Sequence, residues 1–183
     1  MSKLMFVPIT GKDKDKILSK LAQMFGSVKV KEFFKSKELL ITRGGPRQEV
    51  FIVSNEQFKF IFNKIKPILN KEPYCAGIFA GIYGKEFRPS IEICEKMFRL
   101  TKRNAIMIDN HAALLFSYGR DIMLKSILRI YEPLHRIVVV VDSHENVIGL
   151  CKLTVKNIKN IKNNNLIVCK NVIDKGWYLR KGY

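Results

Sequence analysis

Between residues 152 and 165 the chain reads KLTVKNIKNIKNNN, with lysines at Lys152, Lys156, Lys159 and Lys162. The last three recur at every third residue, and Ile158 and Ile161 stand between them. In a helical turn at about 100° per residue the three ammonium groups share about a third of the circumference, and the isoleucines take another side. A 3₁₀ turn aligns each set more closely. A strand would scatter the lysines over both faces. Ammonium groups gathered on one side suit phosphate oxygens, and such contacts are blind to base sequence and weakened by salt. The plainer alternative is a solvated edge that keeps a turn soluble.

Other reactive residue types form weaker patterns. His111, His135 and His144 each lie near a carboxylate, but no serine or cysteine nucleophile sits in a recognised signature. Asp109, Asp121 and Asp142 fall at the ends of predicted elements, where carboxylates cap or turn the backbone. Cys75, Cys94, Cys151 and Cys169 are widely spaced, with no C-x-x-C pair and no histidine at zinc-ligand spacing. Each lies in an apolar run and reads as a small buried hydrophobe, in a protein of a reducing compartment. Gly77, Gly81 and Gly84 follow neither the dinucleotide fingerprint nor the phosphate-loop pattern, and read as strand kinks or close backbone approach. No catalytic residue, metal or cofactor is expected.

The composition narrows the partner. The 183 residues carry 33 Lys and Arg against 16 Asp and Glu, a formal charge of +17. Such a field draws polyanions, with nucleic acid ahead of an anionic membrane surface or an acidic protein. Residues 1–100 hold 19 basic and 10 acidic side chains, and the remainder 14 and 6, so the charge belongs to two folded modules and not to a tail. A hydrophobic fraction of 47% argues against disorder. No run approaches the ~18 apolar residues of a membrane span, and LMFVPI is too short for a secretory segment. The expectation is a soluble protein.

The elements that must position these residues can be read in outline. Thr10 opens a helix with Ile17, Leu18, Leu21, Met24 and Phe25 on one stripe and Gly26 as its stop. VKVKEFF, KELLIT and QEVFIV read as strands, the first half-exposed. Ser54 and Gln57 have capping-box spacing ahead of FKFIFNKIKPIL, with Pro67 expected to end or bend that helix. CAGIFAGIYG and FRPSIEIC read as a strand pair, then a helical turn or two around EKMFRL. The polar stretch 101–104 divides a domain 1–100 from a domain 101–183. Beyond it, AIMI is a strand, Asp109 or Asn110 caps a short helix, and Gly119 closes it. RDIML, RIVVVVD, VIGLCKL, LIVCK and GWYLR read as short strands of a small mixed barrel. Trp177 is expected in the barrel packing, and Tyr178 is left open.

AIMID, HAALLFSYGRDIMLKS and RIVVVVDSHENVIGLCKL resemble a PUA domain, named for pseudouridine synthases and archaeosine transglycosylases. The landmarks are Ile106 to Ile108, Ala112 to Phe116, Gly119, Val138 to Val141 and Gly149. With SYGRDIMLKS, the ending IDKGWYLRKG and the hairpin AGIFAGIYGKEFRPSIEI, the whole chain is similar to the Nip-seven family of large-ribosomal-subunit biogenesis factors, in an archaeal-looking form. The resemblance implies an α+β protein: an N-terminal antiparallel sheet with helices, then a C-terminal PUA-type mixed β-barrel. It implies a non-enzymatic factor of pre-ribosomal RNA processing and large-subunit assembly. Its partner would be single-stranded U- or A-rich RNA. The family's basic cluster maps onto Lys156, Lys159 and Lys162. The preceding position, often basic, is Val155, so that contact is either absent or moved to Lys152. Ile127 replaces a glycine common after the KS pair. Gly119, Arg120 and Lys125 match the glycine–strand corner that usually faces RNA.

The N-terminal domain would engage a protein of ribosome assembly or RNA degradation, or a second RNA surface, with VKVKEFF as a candidate. A monomer is expected, cytoplasmic, or nucleolar in a eukaryote. The rival readings are an RNA-modification enzyme or its specificity subunit, and an adaptor to an RNA-processing complex.

Overall fold

The structure is a computed structural model that describes residues 4–69, 72–73, 75–177 and 180. The chain folds as two compact units, Met1–Ile93 and Cys94–Tyr183. The division falls within a helix, before the polar stretch 101–104.

The first unit is built on an antiparallel sheet in the order β1-β2-β3-β4-β5. The strands are β1 (Met5–Pro8), β2 (Lys37–Arg43), β3 (Gln48–Ser54), β4 (Ile78–Tyr83) and β5 (Arg88–Pro89). Leu39, Leu40, Ile41 and Thr42 are consecutive and all buried, so both faces of β2 are covered. Helix α1 (Gly11–Phe25) buries Ile17, Leu21, Met24 and Phe25, and Gly26 at φ 93° ends it by donating to Ala22 O at 2.8 Å.

VKVKEFF is a helix, α2 (Ser27–Phe34), and not the expected half-exposed strand. Its alternation is real in sequence, but the buried pair is Val30 and Phe34, one helical turn apart, while Val28 is exposed. The next helix runs as expected from a capping box: Ser54 Oγ accepts from Gln57 N, and the Gln57 side chain accepts from Ser54 N. It continues as α3 (Asn55–Phe60), a π turn (Ile61–Ile65) and α4 (Lys66–Leu69), so the chain passes through Pro67. Ile61 is buried with Phe6, Leu40 and Val53, and Phe58, Phe62 and Ile65 pack around them.

The expected strand FRPSIEIC pairs only at Arg88–Pro89. Ser90 Oγ accepts from Ile93 N at 3.2 Å and helix α5 (Ile91–Thr101) begins there. Gly81 faces Arg88 so closely that a Cβ would stand 2.1 Å from its carbonyl oxygen, the close backbone approach expected of the glycine run.

The second unit is a curled half-barrel in the order β7-β11-β10-β9-β6-β8, with β6 and β9 parallel and the other neighbours antiparallel. Its strands are β6 (Ala105–Ile108), β7 (Ile122–Met123), β8 (Ile127–Tyr131), β9 (Ile137–Val141), β10 (Val147–Leu153) and β11 (Ile167–Asp174). Val138 to Val141 are fully buried, as a strand covered on both faces requires. Asp109 Oδ1 accepts from Ala112 N at 2.8 Å and opens helix α6 (Asn110–Ser117), whose Phe116 enters the core. RDIML is a strand only at Ile122–Met123; a 3₁₀ turn (Leu124–Ser126) follows and leads into β8. GWYLR is not a strand at its described residues: Arg180 N donates to Gly176 O at 3.1 Å, a helical bond. Trp177 is half-buried there, and Tyr178 lies outside the described residues.

Two cysteines also depart from expectation. Cys151 and Cys169 form a disulfide, with Cα atoms 5.7 Å apart. Strand pairing places them together: Leu153 faces Cys169 and Cys151 faces Asn171, so the two are diagonal neighbours on β10 and β11. Cys94 is a buried thiol as expected, but Cys75 is exposed.

Candidate nucleic-acid interface

The lysine stretch forms the connection from β10 to β11. Asn157 Oδ1 accepts from Lys159 N at 3.0 Å and opens a 3₁₀ turn (Ile158–Asn160), closed by Ile161 N donating to Ile158 O. Ile158 is buried in the core of the unit and Ile161 packs against it, while Lys156, Lys159 and Lys162 are exposed. Only three residues are helical, so Lys156 and Lys162 flank the turn instead of standing on it.

At the base of the loop Thr154 donates through its backbone N to Val168 O and through Oγ1 to Ile167 O. The Cys151–Cys169 disulfide ties the same two strands. Lys152 lies on β10 directly opposite Lys170 on β11, and both are exposed. Like charges facing across a ladder oppose each other. Lys152, Lys156, Lys162 and Lys170 have no carboxylate partner among the described residues, whereas Lys159 pairs with Glu132 at 2.9 Å.

The loop walls two adjoining depressions. The first, about 350 Å³, has a floor of Ile130, Leu134, Leu153 and Ile158, with Lys156, Lys159 and Glu132 around it. The second, about 480 Å³, is more open, with Leu124, Ile127, Ile130 and Ile158 on its floor and Arg129 and Lys159 beside them. The floor residues rest on the core of the unit. Cations therefore border an apolar surface, an arrangement suited to a chain with charged phosphates and flat apolar bases.

The remaining expected residues divide between two ends of β11. Lys125 N donates to Asn164 O and Leu124 N to Leu166 O, both at 3.0 Å, so the Lys125 turn lies against the end of the lysine loop. Gly119 and Arg120 lie at the opposite end of β11, near Asn171 and Asp174. There Arg120 N donates to Leu115 O and Gly119 N to Phe116 O, with Gly119 at φ 86°, a Schellman closure of α6. Arg180 covers this corner, donating to Ser117 O and both oxygens of the buried Asp174, and the pairing raises its pKa. Gly119 and Arg120 are thus not brought to the lysine loop. Arg129, Ile130 and Glu132 are, and no spacing in the sequence singled them out, because strand pairing alone carries them there.

The three singled-out aspartates serve backbone N–H groups: Asp109 at α6, Asp121 accepting from Asn171 N, and Asp142 accepting from His144 N and Asn146 N. Burial pushes the Asp142 pKa up, but hydrogen bonds from Asn146 and His144 outweigh it and hold the carboxyl below its ordinary value. Lys29 of α2, in the stretch considered for the N-terminal surface, pairs with Glu32 at 2.8 Å, while Lys31 is exposed. A smaller cleft in the first unit, about 130 Å³, holds Asp13, Tyr83 and Arg43. There the Tyr83 hydroxyl donates to Asp13 at 2.5 Å, lowering the Asp13 pKa and raising that of Tyr83. Among the described residues no helix is long and apolar enough to cross a membrane.

Residues 104–183 match the family described as UPF0113 PUA domain. A UPF0113 protein of Archaeoglobus fulgidus is 30% identical over 168 residues, covering 90% of this chain and 89% of that protein. The chain belongs to the UPF0113 family. PUA domains are, as a class, RNA-binding modules. Two solved structures share the fold. A hypothetical protein from Pyrococcus horikoshii OT3 superposes with a TM-score of 0.63 at 16% identity, covering 93% of this chain and 94% of its own. A conserved PUA domain protein from Thermoplasma acidophilum has a TM-score of 0.63 at 12% identity and covers 98% of both chains. The fold is therefore the PUA-containing α+β architecture over nearly the full chain.

Proposed function

We propose that this UPF0113 protein is a non-enzymatic RNA-binding factor in pre-ribosomal RNA processing and large-subunit assembly. It binds single-stranded U- or A-rich RNA through the basic edge of its PUA domain. The observation that carries this reading is the lysine loop, where exposed cations border an apolar floor. The charge of +17 supports a polyanionic partner. The Nip-seven resemblance supplies the ribosomal context. The first unit engages a protein partner or a second RNA surface, and the protein works as a monomer, in the cytoplasm or, in a eukaryote, the nucleolus.

The direct test is a fluorescence titration of the full chain with short U-rich and A-rich RNA. Replacing Lys156, Lys159 and Lys162 together with alanine weakens binding by about tenfold or more, since each lost phosphate contact removes a counterion-release term. Unchanged affinity with a normal unfolding curve would remove the loop from the site. Turnover of unmodified ribosomal RNA by the purified protein would instead favour an RNA-modifying enzyme.

A further inference from the structure

We propose that Lys152 and Lys170 together form a second phosphate seat, on the β10–β11 ladder, that grips one backbone phosphate of the RNA beside the lysine loop. The inference rests on the RNA-binding reading above and extends its site to Lys170, a residue outside the loop.

The two lysines are direct partners in the ladder, so their side chains stand on the same face of the sheet. Opposed residues of an antiparallel pair have Cβ atoms about 4.5–5.5 Å apart, and like charges at that spacing destabilise the sheet. Both side chains are exposed, and neither has a carboxylate partner among the described residues. The residue opposite Lys152 on its other side is Ile137 of β9, which supplies no charge. Asp121 lies beside the rung, but its Oδ1 accepts from Asn171 N. The strands are also held from parting to relieve the repulsion. Cys151 and Cys169, each the residue before one of the lysines, are joined by the disulfide, and Thr154 bonds to Val168 O and Ile167 O. A local rule broken in this way, with the fold holding the break in place, is what a functional site shows.

An ammonium group donates three hydrogen bonds and accepts none. An anion set between two of them replaces one repulsion by two attractions, and the two free oxygens of a phosphodiester give each ammonium its own acceptor. The rung adjoins the base of the loop, so it adds to the cations of Lys156 and Lys162. A backbone contact of this kind fixes the position of U-rich and A-rich strands alike and carries no base preference.

The test is a titration of the full chain with U-rich and A-rich RNA at about 0.1 M salt, for the native protein, Lys152→Gln, Lys170→Gln and the double variant. Each single variant is expected to bind both RNAs about fivefold more weakly, the term of one phosphate contact on a single strand at that salt. The double variant loses about fivefold as well, because both lysines serve one phosphate. Without RNA, the denaturant midpoint of Lys170→Gln at low salt is expected to equal or exceed the native one, since a repulsion has been removed. Unchanged RNA affinity in Lys170→Gln would overturn the seat, as would single losses that multiply in the double variant, which would mean two separate contacts. A lowered midpoint in RNA-free Lys170→Gln would overturn it in favour of a structural role. Inorganic phosphate that raises the native midpoint alone, with RNA affinity equal in all four proteins, would mark a site for the free anion and overturn the RNA assignment. No native binding to either RNA would overturn the RNA-binding reading itself, and with it this one.

Discussion

Gly119 shows how one residue can serve the fold where a functional role was expected. At φ 86° it closes helix α6, and a Cβ built there would stand 3.3 Å from Arg180 Nη2. Gly119→Ala is expected to lower stability by about 1 kcal/mol or more, the cost of a left-handed residue with a side chain. A shifted denaturant midpoint with RNA affinity unchanged checks this; an affinity loss without destabilisation would return Gly119 to the binding surface.

The acid sensitivity of the second unit also belongs to single residues. Lys102 and Tyr131 donate to Glu145 and hold its pKa below 4.5; the bonds from Asn146 and His144 hold Asp142 below 3.8 despite its burial. A depressed carboxylate pKa stabilises the fold above the ordinary value and loses that effect as pH falls through the folded one. Unfolding midpoints should therefore be insensitive to these two groups from about pH 6 to 8 and fall below about pH 4.5. Glu145→Gln should flatten that fall, and an identical profile would contradict the assignment.

At the scale of elements, what was legible in the sequence is local. The Ser54–Gln57 capping box, the Asp109 cap and the Gly26 stop each act within a few residues, and all formed as read. The VKVKEFF helix was not legible, because lysines alternating with Val28 and Val30 mimic a strand until the burial of Phe34 picks the helical period. Strand β8 and the split of RDIML depend on pairing partners distant in sequence. The disulfide was equally hidden: 18 residues separate Cys151 from Cys169, and only the β10–β11 register brings them together. That bond closes the base of the lysine loop, restricting the unfolded chain. Denatured, unreduced protein should titrate two thiols, those of Cys75 and Cys94, rather than four. Changing Cys151 and Cys169 to alanine should cost about 3 kcal/mol by the loop-closure model. Four reactive thiols would show that the bond is absent.

At the scale of the whole molecule, the lysine loop was legible because its residues are neighbours in sequence and buried Ile158 anchors its short turn, although only Lys159 stands on that turn. The depressions beside it were not, since Ile130 and Ile158 meet only through the fold. Nor was the separation of Gly119 and Arg120 from the loop, which the length of β11 sets. The chain's charge draws RNA broadly, whereas the loop is held to make defined phosphate contacts. Salt dependence separates the two. The decisive measurement is the slope of log affinity against log salt for single-stranded RNA, with the native protein and the Lys156, Lys159, Lys162 triple alanine variant. Three lost contacts predict a slope shallower by about 2, at roughly 0.7 per phosphate on a single strand. Parallel slopes for the two proteins would contradict the account.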